Sequence, residues 1–332
     1  MITGKQNSVW SKPFIRFFLN PSNIILLLTA YCLVPGISYA VEIQSRAAVV
    51  MDATTKQVLY AKNPELKLKP ASTTKLMTAL ISVERSKLND IVTISRKAVN
   101  VAPTKMGFKI GDKVTIEELL YAALMKSAND AAVALAEAVA GSEKNFVKLM
   151  NQRARALGLK DTKFVNPHGL PGRGQYITAY DLATIMGHAI KNPVIREILG
   201  TRVRKVSTEK GRSMFIKSTN KLLWFDEEVL GGKTGYTRLA LHCFTGVSDR
   251  EEESIIIALL GTPKRGLLWK EAETLLDFGY KVKDNLEEPV VFLTRSSLYR
   301  EQIKKASYTK KIKARTPVKE KQKKERKKPI YR

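Results

Sequence analysis

The chain has 332 residues, is 44% hydrophobic and carries a formal net charge of +26, enough apolar material for one large core or two modest ones. Its three histidines, His168, His188 and His242, stand in no H-x-x-x-H or similar spacing, which argues against a zinc peptidase, and no metal or other cofactor is expected. Its two cysteines, Cys32 and Cys243, leave no intramolecular disulfide once an N-terminal segment holding the first is removed.

Such a segment is present. Lys5, Lys12 and Arg16 precede an uncharged, mostly apolar stretch from Ile24 to Ile37, and Ser38-Tyr39-Ala40 supplies a small-x-small pattern. This layout predicts a secretory signal peptide over residues 1–40 and a mature start near Val41. The apolar stretch is short of the roughly 20 residues that span a bilayer.

Two apolar runs, Ala47 to Met51 and Gln57 to Ala61, flank Asp52-Ala53-Thr54-Thr55-Lys56 and predict a hairpin. After a loop from Pro64 to Pro70, Leu76, Met77, Leu80, Ile81 and Val83 recur at helical spacing over Ser72 to Arg85. Thr115-Ile116-Glu117-Glu118 is a capping-box pattern opening a helix to about Met125. Lys126 to Asn129 interrupts it, and an Ala-rich helix resumes from Asp130 to Ala140, ending at Gly141. Further helices are expected near Glu143 to Leu157 and Thr178 to Lys191. Beyond Thr201 the texture turns to strands: Val203 to Ser207, Met214 to Lys217, Gly232 to Tyr236, His242 to Ser248 and Ser254 to Leu260. Cys243, inside one of these, reads as a buried small hydrophobe. A last amphipathic helix covers about Leu267 to Tyr280. Strands at both ends with helices between predict an α+β fold, an antiparallel sheet flanked by helices beside a helical subdomain.

Three short motifs carry the chemistry: S-T-T-K at Ser72 to Lys75, S-A-N at Ser127 to Asn129, and K-T-G at Lys233 to Gly235. Ser72 and Lys75 are three apart at a helix start, so they share a face. A serine hydroxyl needs an adjacent base, and a lysine serves only when its amine is neutral. Ser127 and Asn129 lie in a break between two helices, where side chains can enter a cleft. Lys233 and Thr234 follow two glycines on a strand, suited to an extended peptide and its carboxylate. A P-loop does not fit, because the glycine it needs five residues before Gly232 is Glu227. In this order the three motifs form the signature of penicillin-binding proteins and class A β-lactamases.

Over about residues 41 to 285 the chain resembles the low-molecular-weight penicillin-binding proteins of the D-alanyl-D-alanine carboxypeptidase family. Lys69-Pro70-Ala71-Ser72-Thr73-Thr74-Lys75, Asn166-Pro167-His168-Gly169-Leu170 and Gly232-Lys233-Thr234-Gly235-Tyr236-Thr237 carry that resemblance. It implies a serine β-lactamase/transpeptidase-like fold, with Ser72 as acylated nucleophile, Lys75 as its base and Ser127 as proton relay. It implies Asn129 as substrate holder, Lys233 and Thr234 at the substrate carboxylate, and Gly235 and Tyr236 along the substrate strand. The N–H groups of Ser72 and Tyr236 would form the oxyanion hole, and Arg265 would add a carboxylate contact. Peptidoglycan stem peptides are the implied substrates and β-lactams the implied inhibitors.

Between Asn129 and Thr178 the acidic residues are Asp130, Glu137, Glu143 and Asp161. None stands in the E-x-x-L-N-like run by which class A enzymes deacylate rapidly, so penicillin is expected to inhibit the enzyme. The expected activity is removal of the terminal D-Ala from pentapeptides. The alternatives are a DD-endopeptidase, or a penicillin-sensing or wall-binding module with little turnover. Residues after about 285 leave no room for the family's β-rich C-terminal domain and terminal membrane helix. Residues 286–332 are expected to be a linker and a disordered basic tail, with 14 Lys or Arg against three acidic residues from Glu301 on. In an exported chain that charge suits an anionic membrane or wall polymer, not nucleic acid.

Overall fold

The computed structural model describes residues 41–292; the expected signal peptide and nearly all of the basic tail lie outside the described residues. In chain order the elements are β1 (Ala47–Asp52), β2 (Val58–Lys62), a 3-10 turn (Ala71–Thr74) running into α1 (Lys75–Arg85), β3 (Ile91–Thr93), α2 (Arg96–Asn100), β4 (Lys113–Thr115), α3 (Ile116–Met125), α4 (Asn129–Ala140), α5 (Glu143–Ala156), α6 (Ala179–Ala189) and α7 (Pro193–Gly200). There follow β5 (Val203–Ser207), β6 (Ser213–Lys217), a 3-10 turn (Leu222–Trp224), β7 (Val229–Thr237), β8 (Leu241–Arg250), β9 (Glu253–Thr262), α8 (Arg265–Lys283) and β10 (Val290–Phe292).

The main sheet has six strands in the order β10-β2-β1-β9-β8-β7. The first and last parts of the chain meet at its centre, where β1 and β9 pair antiparallel from Ala47 with Leu260 to Asp52 with Ile255. The fold is therefore α+β as expected, with one difference. β10 joins β2 in parallel, so the sheet is mixed and not purely antiparallel. The cause is α8, which returns the chain along the sheet before the last strand enters.

Both faces of the sheet are covered, and this explains why β1 and β9 read as unbroken apolar runs. Ala47, Val49, Met51, Ile256, Ala258 and Leu260 face the helical side and join its large core. Ala48, Val50, Leu59, Ile255, Ile257 and Leu259 pack on the other face against Leu268, Ala272, Leu275 and Leu276 of α8. α1 is buried along most of its length by Leu76, Met77, Leu80 and Ile81, so the helix that follows the S-T-T-K motif is fixed from several sides.

Local signals set the helix ends. Thr115 Oγ1 accepts from Glu118 N at 3.2 Å, and Gly141 takes a left-handed φ of 69° just past α4, the conformation that a glycine adopts without penalty. Asp52 Oδ1 accepts the N–H groups of Thr54 and Thr55 at 2.9 and 2.6 Å, turning β1 into β2. Two features go beyond the sequence expectation. One is the β3–β4 hairpin with α2 between its strands; the other is α7, which starts on Asn192 Oδ1 and Pro193.

Candidate active site

The Ser72 side of the site is a 3-10 turn followed directly by α1. Thr73 N–H and Thr73 Oγ1 both reach Pro70 O, which winds the turn tightly and leaves Ser72 half-exposed at the helix N-terminus. Lys75, one turn on, has no exposed surface. Its Nζ donates to Ser72 Oγ at 3.0 Å, to Asn129 Oδ1 at 2.7 Å and to the main-chain oxygen of His168 at 2.7 Å. Burial drives its ammonium well below the usual lysine range, and the charge of Lys233 pushes the same way against Asp130.

Ser127 lies in the break between α3 and α4 with a left-handed φ of 64°. The break is held by the loop before β4. Asn129 N–H donates to Thr104 O at 2.7 Å, and Asn129 Nδ2 donates to Ala102 O at 2.8 Å. Buried Asp130 accepts from Met106 N at 2.8 Å and Gly107 N at 2.9 Å. Ser127 thus points its hydroxyl toward β7, where Lys233 Nζ donates to it at 3.0 Å.

Lys233 is also fully buried, and its Nζ also donates to Thr234 O at 3.0 Å. Burial pushes its ammonium down to about 7. Among the described residues β7 pairs only with β8 and forms the edge of the sheet, so its outer side can accept an added strand. Gly235 is the contact point with the Ser72 turn. A Cβ there would stand 2.8 Å from Ser72 N and 3.0 Å from Ala71 Cβ, closer than a side chain allows. Thr234 Oγ1 shares a 2.7 Å hydrogen bond with Thr219 Oγ1.

The structure therefore brings together Ser72, Lys75, Ser127, Asn129, Lys233, Thr234 and Gly235. Tyr236 is at the mouth, 56% exposed, with its ring 4.5 Å from that of His242. Arg265 begins α8 at the surface; after burial, its charge is the second influence lowering the His242 imidazole. Cys243 is buried, which pushes its thiol up to about 12. It packs as a small hydrophobe.

Four contributors escaped sequence reasoning: the carbonyl of His168, the carboxylate of Asp130, the hydroxyl of Thr219, and Gly169. Gly169 has φ 87°, and a Cβ on it would lie 1.7 Å from Ala71 O. The Asn166 to Leu170 run, one of the three that carry the family resemblance, thus packs against the turn bearing Ser72. Asn166 Oδ1 accepts from Gly169 N at 2.7 Å to shape it.

The fold is that of serine DD-peptidases and transpeptidases. A D-alanyl-D-alanine carboxypeptidase from Mycobacterium tuberculosis superposes with a TM-score of 0.69 at 32% identity, covering 72% of this chain and 92% of that one. A mutant of the Streptomyces K15 DD-transpeptidase gives a TM-score of 0.70 at 29% identity, covering 72% and 98%. The sequence places the chain more closely. The profile of the D-alanyl-D-alanine carboxypeptidase family (peptidase S11) matches residues 35–264. The chain is 35% identical over 244 residues to DacF of Bacillus subtilis and 33% identical over 254 residues to DacC of Escherichia coli. It is 32% identical over 237 residues to DacB2 of Mycobacterium tuberculosis. These matches cover 71%, 73% and 70% of this chain. They span 62% of the length of DacF, 62% of DacC and 81% of DacB2. The chain belongs to the D-alanyl-D-alanine carboxypeptidase family.

Proposed function

We propose that this chain is a serine-type carboxypeptidase that removes the terminal D-Ala from peptidoglycan stem pentapeptides through an acyl-enzyme at Ser72. One observation carries the reading: a lysine amine without solvent exposure stands 3.0 Å from the hydroxyl of Ser72. An amine so placed is neutral over a range in which an ordinary lysine is charged, and a neutral amine can take the serine proton.

An extended D-alanyl peptide pairs with the outer edge of β7, its terminal carboxylate near Lys233 and Thr234 and its amide near Asn129. Lys75 takes the proton of Ser72 as Oγ bonds to the carbonyl carbon of the penultimate D-Ala. The N–H groups of Ser72 and Tyr236 receive the developing oxyanion. Ser127, hydrogen-bonded to Lys233, passes a proton to the leaving amine, and D-Ala departs. Water then breaks the Ser72 ester, with Lys75 and Ser127 carrying its protons. A β-lactam opens on Ser72 by the same first step and stays bound, since Glu143 and its acidic neighbours lie outside the sequence run that speeds deacylation. Arg265, from the surface, adds positive charge on the carboxylate side.

The N-terminal 40 residues export the chain, and the basic residues after 301 hold it at an anionic envelope surface, each worth about 1 kcal/mol near such a surface. Release of D-Ala from diacetyl-Lys-D-Ala-D-Ala, with cross-linked muropeptides run in parallel, tests the activity. Prompt release from the pentapeptide analogue is expected. Stable penicillin labelling of Ser72 without any release would favour a sensor and sink the hydrolase.

A further inference from the structure

The carbonyl that receives Lys75 belongs to a turn held by two side chains which acyl transfer itself leaves unused. His168 is 7% exposed, and its Nδ1 accepts from Leu170 N at 3.2 Å. A ring nitrogen that accepts carries no hydrogen, so the neutral imidazole bears its hydrogen on Nε2. That atom lies 3.6 Å from Glu143 Oε1, and Glu143 Oε2 takes Lys97 Nζ at 2.8 Å. Glu143 sits in the first turn of α5, which Ser142 caps, so its backbone is fixed independently of His168. Its carboxyl is held down at about 2, first by His168 and then, against burial, by Lys97. Between pH 5 and 8.5 it is a carboxylate.

We infer that Glu143 and His168 are positioning residues for the Lys75 amine: the carboxylate selects the Nε2–H form of the ring, Nδ1 then holds Leu170 N–H, and together they fix the carbonyl that aims Lys75 at Ser72. The inference deepens the acyl-transfer reading above and rests on it. Protonating the ring would place a second hydrogen on Nδ1, facing the Leu170 N–H, and the turn would open. The charged groups around the ring are Glu143 from α5, Lys75 from α1 and Lys97 from α2. Burial, Lys75 and Lys97 hold the imidazole below its ordinary 6.5, against Glu143. The wild-type acid limb accordingly contains a step owed to His168, below that value.

The test uses the purified chain and a fluorescent penicillin, with mass spectrometry locating the label. The non-covalent constant and the acylation rate constant are measured separately from pH 5 to 8.5. His168→Ala and Glu143→Ala should lower the acylation constant about tenfold to a hundredfold, the scale of a misplaced catalytic group, with the non-covalent constant within about twofold. His168→Gln has an amide that can serve both Leu170 and Glu143, so it should recover most of the rate while losing the acid-side step. Glu143→Gln keeps an acceptor but no charge and should fall between; it answers the question if His168→Ala does not fold. Unchanged acylation constants, losses confined to the non-covalent constant, or a wild-type acid limb in His168→Gln would overturn the inference. A wild type without label on Ser72 would overturn the acyl-enzyme reading itself, and this inference with it.

Discussion

Two lysines without solvent exposure, 0% at Lys75 and at Lys233, govern behaviour at the scale of single residues. Lys75→Arg keeps the positive charge but cannot present a neutral base. Acylation of Ser72 by penicillin should fall by about 10²- to 10⁴-fold, the range general-base catalysis supplies, as read by stopped-flow labelling. Lys233 gives a stability prediction. Its folded value, about 7, lies below the roughly 10.4 of an unfolded lysine, so between these values the unfolded chain binds more protons. Stability then rises with pH across that window. In Lys233→Met this part of the slope disappears, so urea midpoints of variant and wild type should diverge between pH 7.5 and 9.5. The slope has the same sign at Asp52, where burial is outweighed by the bonds from Lys283 and Thr55 and the carboxyl is taken to about 2. Its contribution is present above pH 4 and is lost as pH falls through 2. The motif residues were legible because S-x-x-K, S-x-N and K-T-G couple side-chain chemistry to spacing. The His168 carbonyl was not, since a main-chain acceptor leaves no residue type behind.

At the scale of elements, the site is an alignment of a turn, a helix break and an edge strand, and glycines set the clearances. Gly235→Ala would drive a methyl against Ser72 N. Acylation should drop at least about tenfold while the melting temperature changes little, because β7 can move outward at the sheet edge. Gly169→Ala meets both a left-handed backbone and Ala71 O inside a packed turn, so it should cost about 2 kcal/mol or more of stability, read by calorimetry. Helices with apolar periodicity or end caps, α1 and α3 to α6, were readable in the chain, as was the break at Ser127. α2, α7 and the β3–β4 hairpin were not. They are three to eight residues long, too short for a period to show, and tertiary packing holds them in place.

At the scale of the whole molecule, the sheet needs both ends of the described chain. β1 pairs with β9 across more than 200 residues, and β10 closes the far edge on β2 with Phe292 edge-to-face on Tyr60 at 6.0 Å. A chain stopped at residue 285 loses this strand, and its melting temperature should fall by a few degrees, matching about 1–2 kcal/mol for a domain of this size. Deleting residues 301–332 instead should leave the melting temperature unchanged and shift the protein from membrane to soluble fractions at low salt. An unchanged distribution would count against the tail as a tether. The α+β class was legible because strands cluster at the two ends of the chain. The parallel entry of β10 was not, because a three-residue strand after a long helix carries no mark of its direction.

The contact between Gly235 and Ser72 has one more consequence. The edge strand β7 and the turn that bears Ser72 approach closely at Gly235, with only the Ala71 methyl as a side-chain neighbour there. Under the function proposed above, a peptide added along β7 is placed relative to Ser72 by the strand itself, and a change in that spacing changes the reach of Ser72. The spacing of strand and turn is thus set by the methyl group that Gly235 lacks.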